Sequence, residues 1–179
     1  VLPAGMTFHN EALNKKKLQA ILSEVLATRG LEEAASLIDR MKDLGFAAAT
    51  GSGISWGMDD LKILETKRAR ITEAEEKVTT IRRQFTDGLL TEEERYMKTI
   101  EVWEGVKNAI ADAVKETLHS DGSVSQMVTS GARGSQGQVT QMMGMKGLVL
   151  SPTGRTHELP IKSSFKEGFN VLEYFVSTH

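Results

Sequence analysis

A glycine-rich, polar stretch in the last third of the chain has the residue types of an anion-binding loop. It runs from Ser130 to Gln138 and carries one cation, Arg133, between Gly131 and Gly134. Such a loop exposes backbone N–H groups, and a guanidinium beside them donates two parallel hydrogen bonds to a phosphate. The stretch lacks the Lys-Ser/Thr ending of a P-loop and follows no clear strand. The residues alone therefore leave a phosphate site and a plain turn both open.

Acidic and histidine side chains give no second candidate for chemistry. Asp59–Asp60 and Glu92–Glu94 stand where helices should begin, where free backbone N–H groups favour carboxylates, so we interpret both as helix-start residues rather than metal ligands. No histidine has a second ligand at metal-like spacing, and no serine occupies a nucleophile-elbow pattern. The histidines are His9, His119, His157 and His179. We find no self-sufficient active site.

The clearest periodic signal predicts a helical hairpin. Apolar residues three and four apart form the seam of a coiled-coil helix, namely Ile71, Ala74, Val78, Ile81 and Phe85. Asp87–Gly88 then supplies a turn, and Thr91 with Glu94 has the spacing of a capping box that begins a second helix. Its apolar stripe comprises Tyr96, Ile100, Trp103, Val106, Ile110, Ala113 and Leu118. Two such stripes joined by a tight turn predict an antiparallel coiled coil with its tip at Thr86–Leu90.

Two shorter helices before the hairpin predict a compact base. The first runs from Asn14 to Thr28, and the second runs from about Glu32 to Leu44 with Gly45 as its stop. Their expected apolar faces are Leu18, Ile21, Leu22, Val25 and Leu26 on the first helix, and Ala35, Ile38, Met41 and Leu44 on the second. Residues 46–60 have no period, which predicts an ordered loop with Trp56 as its packing anchor.

The end of the chain predicts a small β-hairpin and a last helix. Leu148–Leu150 and Thr156–Ile161 flank a proline-glycine turn. Ser164 and Glu167 have capping-box spacing ahead of a helix that carries Phe169, Val171, Leu172, Tyr174, Phe175 and Val176. The predicted fold class is mainly α, with a helical base and loop at 1–60, a protruding antiparallel coiled-coil hairpin at 61–120, and the small β-hairpin and last helix within 121–179.

Composition excludes several classes of protein. The chain has no cysteine, which excludes a disulfide framework and thiolate metal sites and fits a reducing compartment. A net charge of -2 gives no long-range attraction for nucleic acid. No segment approaches the ~20 apolar residues that span a bilayer. We expect a soluble, cytoplasmic protein with no membrane partner, and the lack of an initiator methionine at Val1 suggests an internal fragment.

Three long strings closely resemble the largest subunit family, beta-prime, of bacterial RNA polymerase. They are MVTSGARGS at 127–135, GMKGL at 144–148 and LPIKSSFKEGFNVLEYF at 159–175. The likeness continues upstream through SGISWGMDD at 52–60 and QFTDGL at 84–89, and more weakly to LPAG at 2–5. It therefore covers essentially the whole chain.

The resemblance implies roles for the hairpin and the glycine-rich loop. The hairpin is similar to the rim of the secondary channel, through which nucleoside triphosphates and cleavage factors reach the active centre. Gre-type factors would dock near the tip, at Thr86, Asp87, Gly88, Leu89, Leu90, Tyr96 and Lys98. The stretch from about 127 to 148 resembles the F-loop region, including Ser130, Gly131, Gly134 and Gln138, with Arg133 facing the phosphates of the incoming nucleotide. The last helix resembles the segment that leads into the bridge helix.

The resemblance also implies what other segments must supply. In the family the aspartate loop that holds magnesium lies upstream and the trigger loop lies downstream, so we expect no catalytic residue, no metal ligand and no bound cofactor in this fragment, which should be inactive alone. Magnesium would belong to the complete polymerase. The implied partners are the beta, alpha, omega and sigma subunits, template DNA, RNA, nucleoside triphosphates and Gre-type factors.

Some relatives complete a pocket for the alarmone ppGpp at positions that correspond to Glu32, Ser36, Asp39, Tyr96, Met97 and Lys98. Asp39, Tyr96 and Lys98 match that pattern, whereas Glu32 stands where a lysine is expected and Met97 where an asparagine is. Because an acid in place of a base repels a polyphosphate, we predict no useful ppGpp binding.

Two other functions are compatible with parts of the pattern. The hairpin by itself favours a free-standing adaptor that binds protein partners through its tip, although an adaptor has no need of the Arg133 loop. The glycine-rich loop by itself is compatible with a phosphate-binding enzyme. Nucleotide turnover by the isolated chain that Arg133→Ala abolishes would support that second alternative.

Overall fold

Helices make up most of the structure, a computed structural model that describes residues 2–118 and 122–178. In chain order they are α1 (Lys15–Arg29), α2 (Leu31–Ser52), α3 (Lys67–Thr86), α4 (Glu92–Thr117), α5 (Ser123–Ser130), α6 (Gln136–Val139) and α7 (Val171–Thr178). A 3₁₀ turn lies at Met58–Asp60 and a π-helical turn at Thr140–Gly144. The prediction of a mainly α fold is confirmed. No helix in these described ranges is long and apolar enough to cross a membrane.

Contacts divide the chain into two compact units. The first contains the described residues of Val1–Trp56 and Ser120–Gly134, with α1, α2 and α5. The second contains the described residues of Gly57–His119 and Ser135–His179, with α3, α4, α6 and α7.

In the first unit, α1 and α2 pack around a small apolar core. Its buried residues are Ile21, Val25, Ala34 and Leu37. α1 begins where the Asn14 side chain accepts a hydrogen bond from the Lys17 N–H at 3.0 Å. It ends at Gly30, whose φ of 87° lies in the left-handed region that glycine tolerates best. The prediction of α1 and of its stop is confirmed, whereas Leu26, predicted on its apolar face, is 50% exposed.

α2 is longer than the sequence predicts and buries a different face. It continues through Gly45 and ends at Ser52, before Gly53 in left-handed conformation. A glycine inside a helix costs only about 0.5–1 kcal/mol, so Gly45 does not stop the helix and that prediction was wrong. The buried positions are Ala34 and Leu37, with Met41 packed against them. Of the predicted face, Ala35, Ile38 and Leu44 are exposed, because the single-residue connection at Gly30 fixes which side of α2 meets α1.

The predicted loop at 46–60 is also corrected. Its first part, as far as Ser52, is helical. The Trp56 side chain is 44% exposed and therefore does not anchor the segment.

In the second unit, α3 packs along α4. Ala74 of α3 is buried, as are Trp103, Ile110 and Val114 of α4. The other residues of the predicted α3 seam are less buried. Ile71, Val78 and Ile81 are partly buried, and Phe85 is exposed. The two apolar stripes thus lie on the packed side of each helix, while the coiled-coil geometry stays a prediction.

Two isolated antiparallel bridges pair residues within 146–163, where a small β-hairpin about a proline-glycine turn was predicted. One bridge joins Gly147 to Ile161 and the other joins Leu150 to Thr156. Four residues, 157–160, lie between the bridges on one side and two residues, 148–149, on the other, so the register cannot continue. Pro160 also has no N–H to donate to a ladder.

α7 begins later than predicted. Ser164 and Glu167 do exchange the predicted capping hydrogen bonds. These bonds close a single turn at 165–167, and residues 168–170 are not helical. The helix begins at Val171, after Asn170, which accepts from the Glu173 N–H at 2.9 Å. Phe169 therefore lies outside α7, contrary to the prediction.

Candidate functional site

The turn between α3 and α4 is tightly hydrogen-bonded and presents one apolar side chain to solvent. Gly88 has a φ of 76°, and its N–H donates to the Phe85 carbonyl at 3.0 Å. The Leu89 N–H donates to the Gln84 carbonyl at 2.9 Å, while the Leu89 side chain is 72% exposed. Thr86 and Asp87 are exposed and Leu90 is partly buried. The predicted tip residues are thus brought together in one ordered turn.

A capping box fixes the other side of this turn. The Glu94 N–H donates to Thr91 Oγ1 at 3.3 Å, and the Thr91 N–H donates to Glu94 Oε2 at 2.8 Å. The Thr91 N–H and the Thr91 hydroxyl both donate to Glu94 Oε2, and these two bonds lower the pKa of Glu94. The prediction of a helix start at Thr91 is confirmed, and the tip is held at both ends by local bonds.

Tyr96 and Lys98, also predicted to contact factors, lie in different surroundings. The Tyr96 hydroxyl donates to the Thr156 carbonyl at 3.2 Å, and the Arg155 guanidinium lies 4.4 Å from the Tyr96 ring centroid. Lys98 is exposed. Tyr96 therefore joins α4 to the 155–156 segment, whereas Lys98 is accessible to a partner.

The Arg133 loop directs its backbone inward and its guanidinium outward. The Gly131 N–H donates to the Val128 carbonyl at 3.1 Å, and the Arg133 N–H donates to the Met127 carbonyl at 3.5 Å. The Ala132 N–H donates to the Ser130 hydroxyl at 3.4 Å. Three consecutive amides are thus engaged, so anion binding by the backbone is not available there. The Arg133 side chain is exposed and has no hydrogen bond or ion pair within 2–118 and 122–178.

The other loop residues have structural roles. Gly134 adopts a φ of 85°, which a side-chain-bearing residue rarely tolerates. Gln138 lies on α6, where its N–H donates to Ser135 Oγ at 3.3 Å, and its side chain is exposed. Ser130 and Arg133 belong to the first unit and Gln138 to the second.

The acidic residues that were interpreted as helix-start residues do lie there: Asp59 and Asp60 are in the 3₁₀ turn, and Glu92–Glu94 are in the first turn of α4. Asp60 Oδ2 accepts from the Gly57 N–H at 2.7 Å. Glu92 accepts from the Arg95 guanidinium at 2.6 Å. No group of three or more His, Asp or Glu side chains suited to a metal ion occurs in the part of the chain that the structure describes. His119 and His179 lie outside the described residues.

Sequence reasoning missed a cluster of charged residues that joins α7 to α3. Glu173 is only 9% exposed, and its carboxylate accepts from the backbone N–H groups of Lys162 and Ser163, both at 2.9 Å. Lys162 Nζ in turn pairs with Glu75 of α3. The sequence did contain an indication that Glu173 has a specific partner, because it is the one acid in the apolar run from Val171 to Val176.

One family accounts for most of the chain when it is compared with family models. The model described as RNA polymerase Rpb1, domain 4, matches residues 71–170. The model described as RNA polymerase Rpb1, domain 3, matches residues 2–61. The two matches are separated by residues 62–70 and together include α1, α2, α4 and α3 from Ile71 onward.

Curated bacterial proteins show the same likeness. The DNA-directed RNA polymerase subunit beta' of Sulfurovum sp. (strain NBC37-1) is 44% identical over 176 residues, which are 96% of this chain and 12% of that protein. The corresponding subunit of Roseiflexus sp. (strain RS-1) is 51% identical over 150 residues, 84% of this chain and 10% of that protein. That of Pelotomaculum thermopropionicum is 41% identical over 179 residues, 100% of this chain and 15% of that protein. The chain thus spans between 10% and 15% of the length of these relatives.

Proposed function

Because the chain belongs to the RNA polymerase Rpb1 family, we propose that it is part of a DNA-directed RNA polymerase and shapes the secondary channel through which nucleotides enter. The observation that carries the proposal is the ordered, exposed turn between α3 and α4 within a chain that matches this family on both sides of it. A free-standing adaptor would share the turn but has no need of the match at 2–61.

α3 and α4 form an antiparallel coiled-coil hairpin in this proposal. Two contacts at different distances from the turn support it. Near the turn, the Arg95 guanidinium lies 5.7 Å from the Phe85 ring centroid. Farther away, Lys162 Nζ reaches both Glu75 of α3 and the Trp103 ring of α4. Contacts that run backward along one helix as they run forward along the other are those of antiparallel neighbours.

The tip of the hairpin is the docking site for Gre-type factors in this proposal. Leu89 offers an apolar contact at the turn, and Lys98 offers a cation on the exposed side of α4. Because the turn is held by its own backbone bonds, a partner would meet it preformed and little ordering entropy would oppose binding.

Arg133 contacts the phosphates of the incoming nucleoside triphosphate in this proposal. An exposed guanidinium without a partner among the described residues is free to form charge-assisted hydrogen bonds to phosphate oxygens. Its contribution in this proposal is positioning rather than bond chemistry. The magnesium ions, the catalytic aspartates, template DNA, RNA and the beta, alpha, omega and sigma subunits belong to the complete enzyme, so the isolated chain has no nucleotidyltransferase activity.

The phosphate contact is tested by nucleotide addition in the complete polymerase carrying this segment. Removing a charge-assisted hydrogen bond in Arg133→Ala should raise the apparent KM for nucleotides about tenfold or more. Arg133→Lys keeps the charge but loses the two parallel donors. Its KM should therefore lie between the values for the wild type and Arg133→Ala. The matched control is Arg70→Ala, which removes an exposed arginine from α3. A KM for Arg133→Ala equal to that of the control would contradict the phosphate contact.

Factor docking is tested with Leu89→Ser in the same polymerase. The measured quantity is the rate of transcript cleavage with a Gre-type factor divided by the rate without it. We expect this ratio to fall, whereas Leu26→Ser, which replaces an exposed leucine of α1, should leave it unchanged. An unaltered ratio for Leu89→Ser would remove the tip from the proposal.

A further inference from the structure

In α7 a charged residue is buried and most apolar residues are exposed, which is the reverse of the usual pattern. Its one acid, Glu173, is 9% exposed, while Val171, Leu172 and Phe175 are each more than two-thirds exposed. A buried carboxylate is stable only where donors satisfy it. The burial of Glu173 therefore marks a point at which α7 is held by specific hydrogen bonds rather than by apolar packing.

Both oxygens of the Glu173 carboxylate are satisfied by neighbouring residues. Oε1 accepts from the N–H groups of Lys162 and Ser163, both at 2.9 Å. Oε2 accepts from the Ser163 hydroxyl at 2.7 Å and from the Asn170 N–H at 3.2 Å. Burial opposes ionisation, but the donors at Ser163, Asn170 and Lys162 together lower the pKa of Glu173. The first turn of α7 is thus fixed to the backbone of residues 162–163.

The side chain of Lys162 extends the connection to the hairpin. Its ammonium group pairs with Glu75 of α3 and lies 5.7 Å from the ring centroid of Trp103 on α4. Trp103 is 3% exposed, so it is a fixed part of the core. Through its backbone and its side chain, one residue contacts α7, α3 and α4.

A second connection holds the same segment at its other end. Lys67, at the start of α3 and 5% exposed, pairs with Glu167. Lys166 Nζ donates to the Met58 carbonyl at 2.7 Å and also to the Leu61 carbonyl. Residues 162–167 therefore contact α3 at both of their ends.

α7 also has a large apolar surface with no cover among the described residues of its unit. The exposed fractions are 81% for Val171, 71% for Leu172, 62% for Tyr174 and 69% for Phe175. The chain spans only 10% to 15% of the length of its relatives, so much of the subunit is available to bury this surface. A segment that covered this surface would be positioned by the orientation of α7.

We propose that residues 162–167 couple the α3–α4 hairpin to α7, with Lys162 and Glu173 as positioning residues for nucleotide addition. The inference rests on the proposed polymerase function and names the residues through which an event on the hairpin changes the rate of synthesis. Lys162 fixes the segment to the hairpin, and Glu173 fixes α7 to the segment. Neither residue touches a substrate.

The experiment measures single-nucleotide addition by the complete polymerase, giving a rate at saturating nucleotide and an apparent KM. Glu173→Ala removes all four accepted hydrogen bonds and should lower the saturating rate about threefold while leaving the KM unchanged. Glu173→Gln keeps one acceptor oxygen for the Lys162 and Ser163 N–H groups, so it should restore most of the rate. Glu73→Gln, at an exposed α3 residue paired with Lys77, is the matched control.

A double-variant cycle tests whether Lys162 carries the coupling. Glu75→Gln should lower the rate by about threefold in the wild-type background and have no further effect in Lys162→Met, because the connection is then already lost. Lys115→Met, which breaks an exposed pair with Asp112 on α4, is the matched control for Lys162→Met. These variants keep the backbone donors of residues 162–163, so they remain informative if Glu173→Ala fails to assemble.

Independent, multiplying effects of Glu75→Gln and Lys162→Met would overturn the inference, as would a wild-type rate in Glu173→Ala. A change in KM for Glu173→Ala as large as its change in rate would overturn it too, because a positioning residue away from the nucleotide should not alter binding. Arg133→Ala measured in the same assay distinguishes a failure of the coupling from a failure of the proposed function. If Arg133→Ala raises the KM while the Glu173 and Lys162 variants match their controls, the proposed function stands and the coupling fails.

Discussion

The Arg95 guanidinium donates to both carboxylate oxygens of Glu158, with N–O distances of 2.5 and 2.8 Å. The same guanidinium donates to Glu92 one turn earlier on α4 and lies 5.7 Å from the Phe85 ring centroid of α3. The Arg95 side chain is 12% exposed. One side chain thus joins the two helices near their turn to the segment that returns along them.

Breaking this pair should destabilise the second unit. Glu158→Gln replaces a two-point ionic contact with one neutral acceptor, and Arg95→Lys cannot donate through two parallel N–H groups. We expect either change to lower the free energy of unfolding by about 1–3 kcal/mol, measured by urea denaturation. Lys115→Met, which breaks the exposed pair with Asp112, should have no measurable effect. Equal losses in all three variants would contradict a special role for the Arg95–Glu158 pair.

Stability should fall when the solution is acidified below about pH 4.5. The Arg95 hydrogen bonds lower the pKa of Glu158 below its ordinary value of 4.5, and the donors around Glu173 lower the pKa of that carboxyl despite its burial. The unfolded chain therefore binds protons before the folded chain does, so this stabilisation is complete above pH 4.5 and is lost as the pH falls through the lowered values. Unfolding free energies measured across this range should decline more gently in Glu158→Gln than in the wild-type chain. Parallel curves would show that Glu158 does not contribute.

Signals confined to a few neighbouring residues were predictable from the sequence. The Thr91–Glu94 capping box, the Asp87–Gly88 turn and the stop at Gly30 all depend on bonds within one helical turn. The tip is accordingly the part of the candidate site that the structure most nearly reproduces.

Features that depend on distant residues were not predictable. Lys162 and Glu75 are 87 residues apart, and Lys67 and Glu167 are 100 apart, so no local spacing announces either pair. The face of α2 was wrong for a related reason. Apolar residues occupy both the predicted stripe and the stripe of Ala34 and Leu37, and only the packing partner, α1, decides between them.

The continuation of α2 through Gly45 can be tested with two glycine substitutions. Gly45 has a helical backbone and open space where an alanine would place its Cβ, so Gly45→Ala should raise the free energy of unfolding by about 0.5–1 kcal/mol. Gly53 also has open space, but its φ of 62° is unfavourable for a residue with a side chain. Gly53→Ala should therefore lower the free energy of unfolding by about 1 kcal/mol. Urea denaturation of both variants gives the comparison. Destabilisation by Gly45→Ala would instead support a helix stop at that residue.

The close packing of the π-helical turn on α4 gives a last prediction with an internal control. A Cβ added at Gly144 would lie 2.7 Å from Cγ2 of Ile110 and 3.2 Å from Cγ2 of Val114, and both of those residues are fully buried. Gly144→Ala should therefore overpack the core and lower the free energy of unfolding by about 1–3 kcal/mol. Gly105, within α4 itself, has nothing within 4 Å of the same added atom, so Gly105→Ala should instead stabilise the helix by about 0.5–1 kcal/mol. If the turn contacts α4, urea denaturation should show a loss of unfolding free energy for Gly144→Ala and a gain for Gly105→Ala. Stabilisation by both substitutions would mean that the turn does not approach α4 this closely.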